Sequence, residues 1–210
     1  MKTLRYLLLG IMLITIIPVC NSQTPIKNKQ VITLQSVPKN APSELLRESK
    51  EVLSRRLGLM DLRDMQITQN NAKSELVVSI GDTISKEALS EILLIQGNVS
   101  FKADSTLVLN KEDLLEVHAD FDNPEHPTLC IALKESKWKV WENMTARNIN
   151  KPVALVIDDK VYSVPVIMDK IPHGKISLTG DGLSKTEVRK LVAIISSGPV
   201  PLKFIIVSKN

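Results

Sequence analysis

The chain has 210 residues, of which 43% are hydrophobic, 24% charged and 3% aromatic. That composition is too apolar and too mixed in sign for a disordered chain. It is too polar over most of its length for a polytopic membrane protein, and too poor in rings for extensive stacking surfaces. The formal charge is +4, falling to +2 without Lys2 and Arg5, and the signs are interspersed, which argues against the clustered Lys and Arg of a nucleic-acid footprint.

The first 22 residues read as a signal peptide. Lys2 and Arg5 form a positive start, and Tyr6 to Val19 is an apolar run of signal-peptide length, too short to span a bilayer comfortably. Two processing routes fit. Cys20 and Ser22 are small residues placed for cleavage before Gln23, or Cys20 is itself lipidated behind Ile17-Pro18-Val19. The small-residue rule favours plain cleavage, because Val19 is larger than the residue that usually precedes a lipidated cysteine. On either route the body is exported by the Sec route to the periplasm or cell envelope, and it is membrane-anchored only if Cys20 is lipidated. Cys130 is then the one cysteine of the body, so no intrachain disulfide is expected there. Its place in Leu129-Cys130-Ile131-Ala132-Leu133 predicts a buried, inert thiol.

After a polar lead-in over 23–28, residues 29–36 alternate as a strand. Asn40 to Ser43 offers helix-capping residues and a first-turn proline. Leu45, Leu46, Val52, Leu53 and Leu57 recur at helical spacing, with Gly58 placed for a left-handed cap closed by Leu59. Strands are expected over 65–69 and 75–80, joined by a tight turn at Asn70-Asn71. Ser85 caps a second helix carrying Ala88, Leu89, Ile92 and Leu93, followed by Gly97 and a strand over 99–102. The order strand, helix, strand, strand, helix, strand predicts a ferredoxin-like base over 23–103, an α+β arrangement with both helices on one face of an antiparallel sheet.

The second half, 104–201, opens with a short strand over 107–109 and a helical turn capped by Asn110 and Asp113. Loop follows over 122–127 and a strand over 129–133. A helix over 137–148 carries Trp138, Trp141, Met144 and Thr145 on one side. Residues 153–157 and 161–164 form a hairpin around Asp158, Asp159 and Lys160, and 175–179 is another strand. Ser184 and Glu187 make a capping box ahead of Val188, Leu191, Val192 and Ile195; Gly198 ends that helix, and 202–207 is a last strand.

None of this assembles a catalytic site. His118, His126 and His173 lack metal-ligand spacing and read as surface or loop residues. Asp158-Asp159 and Asp181-Gly182 read as turn residues. There is no GxSxG, GxGxxG or GxxxxGK motif. Trp138 and Trp141, at i and i+3, read as packing residues rather than a docking platform. The expectation is therefore a chain with no catalytic, cofactor-binding or metal-ligating residues, which is no enzyme.

One stretch is more specific than any of these motifs. Met144-Thr145-Ala146-Arg147-Asn148-Ile149-Asn150-Lys151, followed by Pro152-Val153-Ala154-Leu155-Val156-Ile157-Asp158-Asp159-Lys160-Val161-Tyr162-Ser163-Val164-Pro165-Val166-Ile167, resembles SecD, the Sec translocon accessory subunit. It is similar, without a gap, to the family's Leu-Thr-Arg-x-Asn-x-Gly-Lys and the hairpin Leu-Ala-Ile-Val-Leu-Asp-Gly-Lys-Val-x-Ser-Ala-Pro-Val-Ile. Ile171-Pro172-His173-Gly174-Lys175 resembles Ile-x-Gly-Gly-x. Leu178-Thr179-Gly180 resembles Ile-x-Gly, and Ser197-Gly198-Pro199-Val200-Pro201 resembles Ala-Gly-x-Leu-Pro. Upstream, Leu107 to Leu114 is similar to the family's Leu-Leu-Thr-Gly-Glu-Asp-Leu, and Leu57-Gly58-Leu59 resembles its Leu-Gly-Val, the match being weak before residue 104.

The resemblance implies the first periplasmic domain of SecDF, with the head inserted in the base and residues 202–210 returning to pair with the base. It implies a non-enzymatic envelope module binding unfolded or translocating polypeptide or the translocon. The alternative is a structural or assembly subunit without a peptide ligand. Asn150 and Asp159 stand where the family has glycine, and both residue types tolerate positive φ. The family's Asp-Leu-Lys-Gly-Gly motif and its charged membrane helices are not matched within these residues, so proton coupling is not expected from them.

Overall fold

The computed structural model describes residues 29–62, 64–81, 84–180 and 182–209. The signal peptide, the choice of processing at Cys20 and the reading of Asp181 lie outside the described residues. In chain order the elements are β1 (Lys29–Val37), α1 (Ser43–Gly58), β2 (Gln66–Asn70), β3 (Glu75–Gly81), α2 (Lys86–Leu94), β4 (Val99–Ala103) and β5 (Thr106–Asn110). A 3-10 turn at Lys111–Asp113 follows, then β6 (Leu114–Asp120), β7 (Thr128–Leu133), α3 (Glu135–Arg147), β8 (Val153–Ile157), β9 (Lys160–Ser163), β10 (Lys175–Leu178), α4 (Lys185–Ser197) and β11 (Lys203–Lys209).

The base is a four-stranded antiparallel sheet in the order β11-β1-β3-β2, the ferredoxin-like arrangement. Strict alternation puts Ile32, Leu34, Leu76, Val78 and Ile80 on one face, where α1 and α2 bury Leu46, Leu53, Leu57, Leu89, Ile92 and Leu93 against them. Ser85 begins α2 as expected, its Oγ accepting from the Ala88 amide at 3.2 Å.

The fourth strand differs from the sequence expectation. Residues 99–103 do not close the base sheet: β4 pairs with β8 along its whole length and with β5 on its other side. Its inward residues, Val99 and Phe101, belong to the second core. The free edge of β1 is taken by β11, with Leu34 opposite Ile206 and Gln35 opposite Ile205, and Phe204 enters the base core. The Leu202 amide donates to Ser49 Oγ at 3.3 Å, which seats the start of β11 against α1.

The head contains two sheets, β5-β4-β8-β9 and β10-β7-β6, around one core. α4 lays Val188, Leu191, Ile194 and Ile195 into that core, and α3 contributes Trp141. Ser184 caps α4 as predicted, its Oγ accepting from the Glu187 amide at 3.2 Å. Replacing Ser184 by alanine is expected to lower stability by about 1 kcal/mol, visible as a lower urea midpoint at unchanged slope.

Local differences from expectation have physical causes. Gly58 is still helical, and the chain reverses at Asp61, φ 57°, so Leu59 stays exposed instead of closing a left-handed cap. α1 begins after Pro42 without a side-chain cap, and Leu45 faces outward. The Asn70-Asn71 connection is a longer loop whose left-handed residue is Ser74, φ 51°. Strand β6 has no sequence-level counterpart, because its exposed face carries Leu115 beside Glu116, His118 and Asp120, which blurs the alternation. Cys130 is half-buried rather than buried, since it points away from the face that Leu129 and Ile131 bury; what burial there is pushes its thiol up.

Candidate functional site

The hairpin β8–β9 turns on Asp158 and Asp159, both left-handed at φ 48° and 66°. Two successive positive φ values make the type I′ geometry that matches strand twist. Asn150, φ 63°, and His173, φ 58°, are left-handed as well, and at all three of Asn150, Asp159 and His173 the SecD pattern has glycine. Past β9 the chain does not leave the sheet. The Val153 amide donates to Pro165 O at 2.9 Å, the Ile167 amide to Lys151 O at 3.0 Å and the Asn150 amide to Ile167 O at 2.8 Å. Ile167 is thereby drawn into the core, while Val164, Val166 and Met168 are left on the surface, Met168 79% exposed.

This ribbon is one wall of an apolar groove of about 320 Å³. The opposite wall is β10, through Ile176, Ser177 and Leu178; the floor is Phe101 of β4, Val153 of β8 and Trp141 of α3. Trp141 is buried and meets Phe101 edge to face, ring centroids 6.1 Å apart. Its indole nitrogen is fully buried and finds no hydrogen-bond partner, an uncommon state for a buried tryptophan. At the far end, Pro165 is shared with a second recess between Val161–Pro165 and Thr179, Gly180 and Leu183. Asp169 is the one charged residue lining the first groove. The site can therefore hold apolar side chains, and it places no nucleophile beside a base.

Trp138, the other predicted packing residue, is half-buried; its Nε1 donates to Leu133 O at 3.0 Å and His173 stacks on it edge to face at 5.8 Å. His118 and His126 are exposed as expected, and among the described residues no group of three or more His, Cys, Asp and Glu is placed to hold a metal. Asp158 does more than satisfy its own turn. Its carboxylate accepts from the amides of Gly97 (2.9 Å) and Asn98 (2.9 Å) and from Asn98 Nδ2 (3.0 Å). The groove itself was not foreseen; the one available signal was the apolar spacing of Val164, Val166 and Met168 beyond the last predicted hairpin strand. Among the described residues no helix is long and apolar enough to cross a membrane.

Comparison with known proteins places these features. The family model of the SecDF P1 head subdomain matches residues 83–202. The SecD translocase subunit of Acidaminococcus fermentans is 25% identical over 182 residues, covering 86% of this chain and 43% of that protein. SecD of Aquifex aeolicus is 31% identical over 159 residues, 70% of this chain and 31% of that protein. The chain thus spans less than half the length of these relatives. A crystal structure of SecDF in a super-membrane-facing form superposes with a TM-score of 0.65 over 88% of this chain and 30% of its own, at 20% identity. A second SecDF structure, described as a membrane component that enhances protein export, covers 85% of this chain and 98% of its own with a TM-score of 0.61, also at 20% identity. Those likenesses speak for the fold, and the matched family model, which covers more than half of the residues, settles the relationship: the chain belongs to the SecDF P1 head subdomain family.

Proposed function

We propose that this chain is a non-enzymatic module of protein export in the cell envelope that binds unfolded or translocating polypeptide in the apolar groove of its head. The observation that carries the reading is the open groove itself: Val166 and Met168 exposed on one wall, β10 on the other, and Phe101 and Trp141 beneath. Exposed apolar residues that line a recess mark a binding surface more often than scattered ones do. An extended segment fits such a site because its alternate side chains can enter while its backbone stays near a strand edge. Membership of the SecDF family supports export as the setting. The N-terminal signal-peptide pattern supports delivery by the Sec route.

Binding is expected to be weak and indifferent to sequence, since it uses apolar contact and backbone rather than charge. The test is fluorescence anisotropy of a labelled, unfolded exported protein titrated with the purified chain. Saturable binding should appear at micromolar concentrations. The double substitution Val166→Ser, Met168→Ser should weaken it about tenfold, the loss corresponding to one buried apolar side chain. Absence of binding into the high micromolar range would remove this reading in favour of a structural or assembly subunit.

A further inference from the structure

Both walls of the groove are strand edges, and the backbone register says which groups they leave open. β10 is the outer strand of its sheet. Lys175 stands opposite Ala132, which puts Gly174 opposite Leu133, and the Leu133 amide donates to Gly174 O at 2.8 Å. Directly bonded and unbonded pairs alternate along an antiparallel ladder. Counting on from Gly174, Ile176 is bonded to Ile131 of β7, and Ser177, opposite Cys130, is not. The Ser177 amide and carbonyl therefore point out of the sheet edge, on the strand that lines the groove.

The ribbon beyond β9 is built the same way. Val166 stands opposite Pro152, between the bond from the Val153 amide to Pro165 O and the bond from the Ile167 amide to Lys151 O. Both bonds belong to its neighbours, so the amide and carbonyl of Val166 face away from residues 150–153. Among the described residues no backbone hydrogen bond joins the ribbon to β10. Phe101, Trp141 and Val153, all core residues, form the bottom of the slot between the two edges. One charge marks it: Lys170 turns its ammonium to Glu142 at 3.2 Å, and Asp169 is left lining the groove.

We infer that the occupant of the groove is a β-strand that pairs with both walls and joins the two head sheets into one. The inference rests on the reading of the groove as a polypeptide site and specifies the form in which the polypeptide binds. Along an extended segment, alternate residues direct their amide and carbonyl to alternate sides. One set bonds Ser177 on β10, and the other bonds Val166 on the ribbon. Side chains alternate in step, so apolar residues two apart face Phe101 and Trp141 while those between them face outward. Open edges on both sides demand a free backbone N–H at successive positions. They therefore exclude proline, and they exclude folded chains, whose amides are already paired. Asp169 adds a preference for lysine or arginine at one end of the segment, by charge complementarity.

The test titrates a fluorescein-labelled peptide, Lys-Thr-Val-Thr-Val-Thr-Lys, with the purified chain and follows anisotropy. Two analogues carry N-methyl groups, one on the valine nitrogens and one on the threonine nitrogens. Each analogue loses the donors to one edge and keeps every side chain. Each should bind about tenfold or more weakly, since two or three hydrogen bonds are lost. Full affinity in both analogues overturns strand insertion. Loss in one alone overturns it too, because a single edge is then in use, and so does failure of the parent peptide to bind where the unfolded protein binds. Val166→Ser, Met168→Ser separates this inference from the reading beneath it. If the double variant weakens the unfolded protein while both analogues keep full affinity, the groove stands and the strand falls. If the double variant leaves the unfolded protein bound as before, the groove reading itself falls. Asp169→Asn should weaken the parent peptide about threefold at low ionic strength and have no effect in about 0.5 M salt. Equal affinity at low ionic strength overturns the charge match.

Discussion

Changing Arg56 to alanine is expected to lower stability by about 4 kcal/mol, a large share of what a domain of this kind has to lose. The argument is an accounting of acceptors. Removing the guanidinium strands the carbonyls of Ile92 and Ile95 at the end of α2 and takes one of two donors from those of Gln96 and Gly198, in a region where Arg56 itself has no exposed surface. A buried acceptor left unsatisfied costs about 1–3 kcal/mol, and partial relaxation or water entry keeps the total below the simple sum. For a chain of this size that loss is a fall in melting temperature of roughly 8–16 °C. Arg56→Met should lose less, because it refills the volume while leaving the carbonyls orphaned; the difference between the two variants reports the packing part. Thermal melts followed by circular dichroism measure both. A fall of only a degree or two in Arg56→Ala would show that the two helix ends do not rely on this side chain.

Gly174→Ala is the second large effect, expected at about 3 kcal/mol. Gly174 follows His173, and both are left-handed, Gly174 at φ 60°. A methyl group there would sit 2.3 Å from Trp138 Cδ1 and 2.9 Å from Leu133 Cβ, well inside contact distance. The indole cannot yield freely, since its Nε1 donates to Leu133 O while the Leu133 amide donates to Gly174 O at 2.8 Å. Gly182→Ala is the control. It has positive φ, 90°, but open space around the added carbon, so it should show only the backbone cost of about 1 kcal/mol. Urea unfolding monitored by tryptophan fluorescence distinguishes the two. Equal losses in both variants would mean that strain at φ, not the clash with Trp138, accounts for the effect.

How far the sequence carried depended on the range of the interaction. The helix of 185–197 was legible because its signals are local: Ser184 caps it, the apolar residues recur within two turns, and Gly198 at φ 80° ends it. The β8–β9 hairpin was legible for the same reason, with Asp158 and Asp159 supplying the positive φ that its turn needs. Sheet membership was not. Residues 99–103 have the length and alternation of a strand closing the base, and only the competition between β8 and β1 for its edge decides where it goes. The groove depends on contacts among α3, β4, β8, β10 and the ribbon beyond β9, whose lining residues are spread from Phe101 to Leu178. In the sequence Arg56 is one more charged residue in the last turn of an amphipathic helix. Its partners lie far along the chain, and nothing within a helical turn of it announces them.

The pairing of β1 with β11 also orders events during synthesis. The first strand of the base, β1, acquires the neighbour on one of its sides only when β11 has been made, after the whole of the head. The head can condense before that, since all of its strands lie between. Until β11 arrives, β1 presents an unsatisfied flank of amides and carbonyls to its surroundings, the kind of edge that recruits wrong partners. A chain lacking β11 would thus keep a folded head and carry a permanently adhesive base.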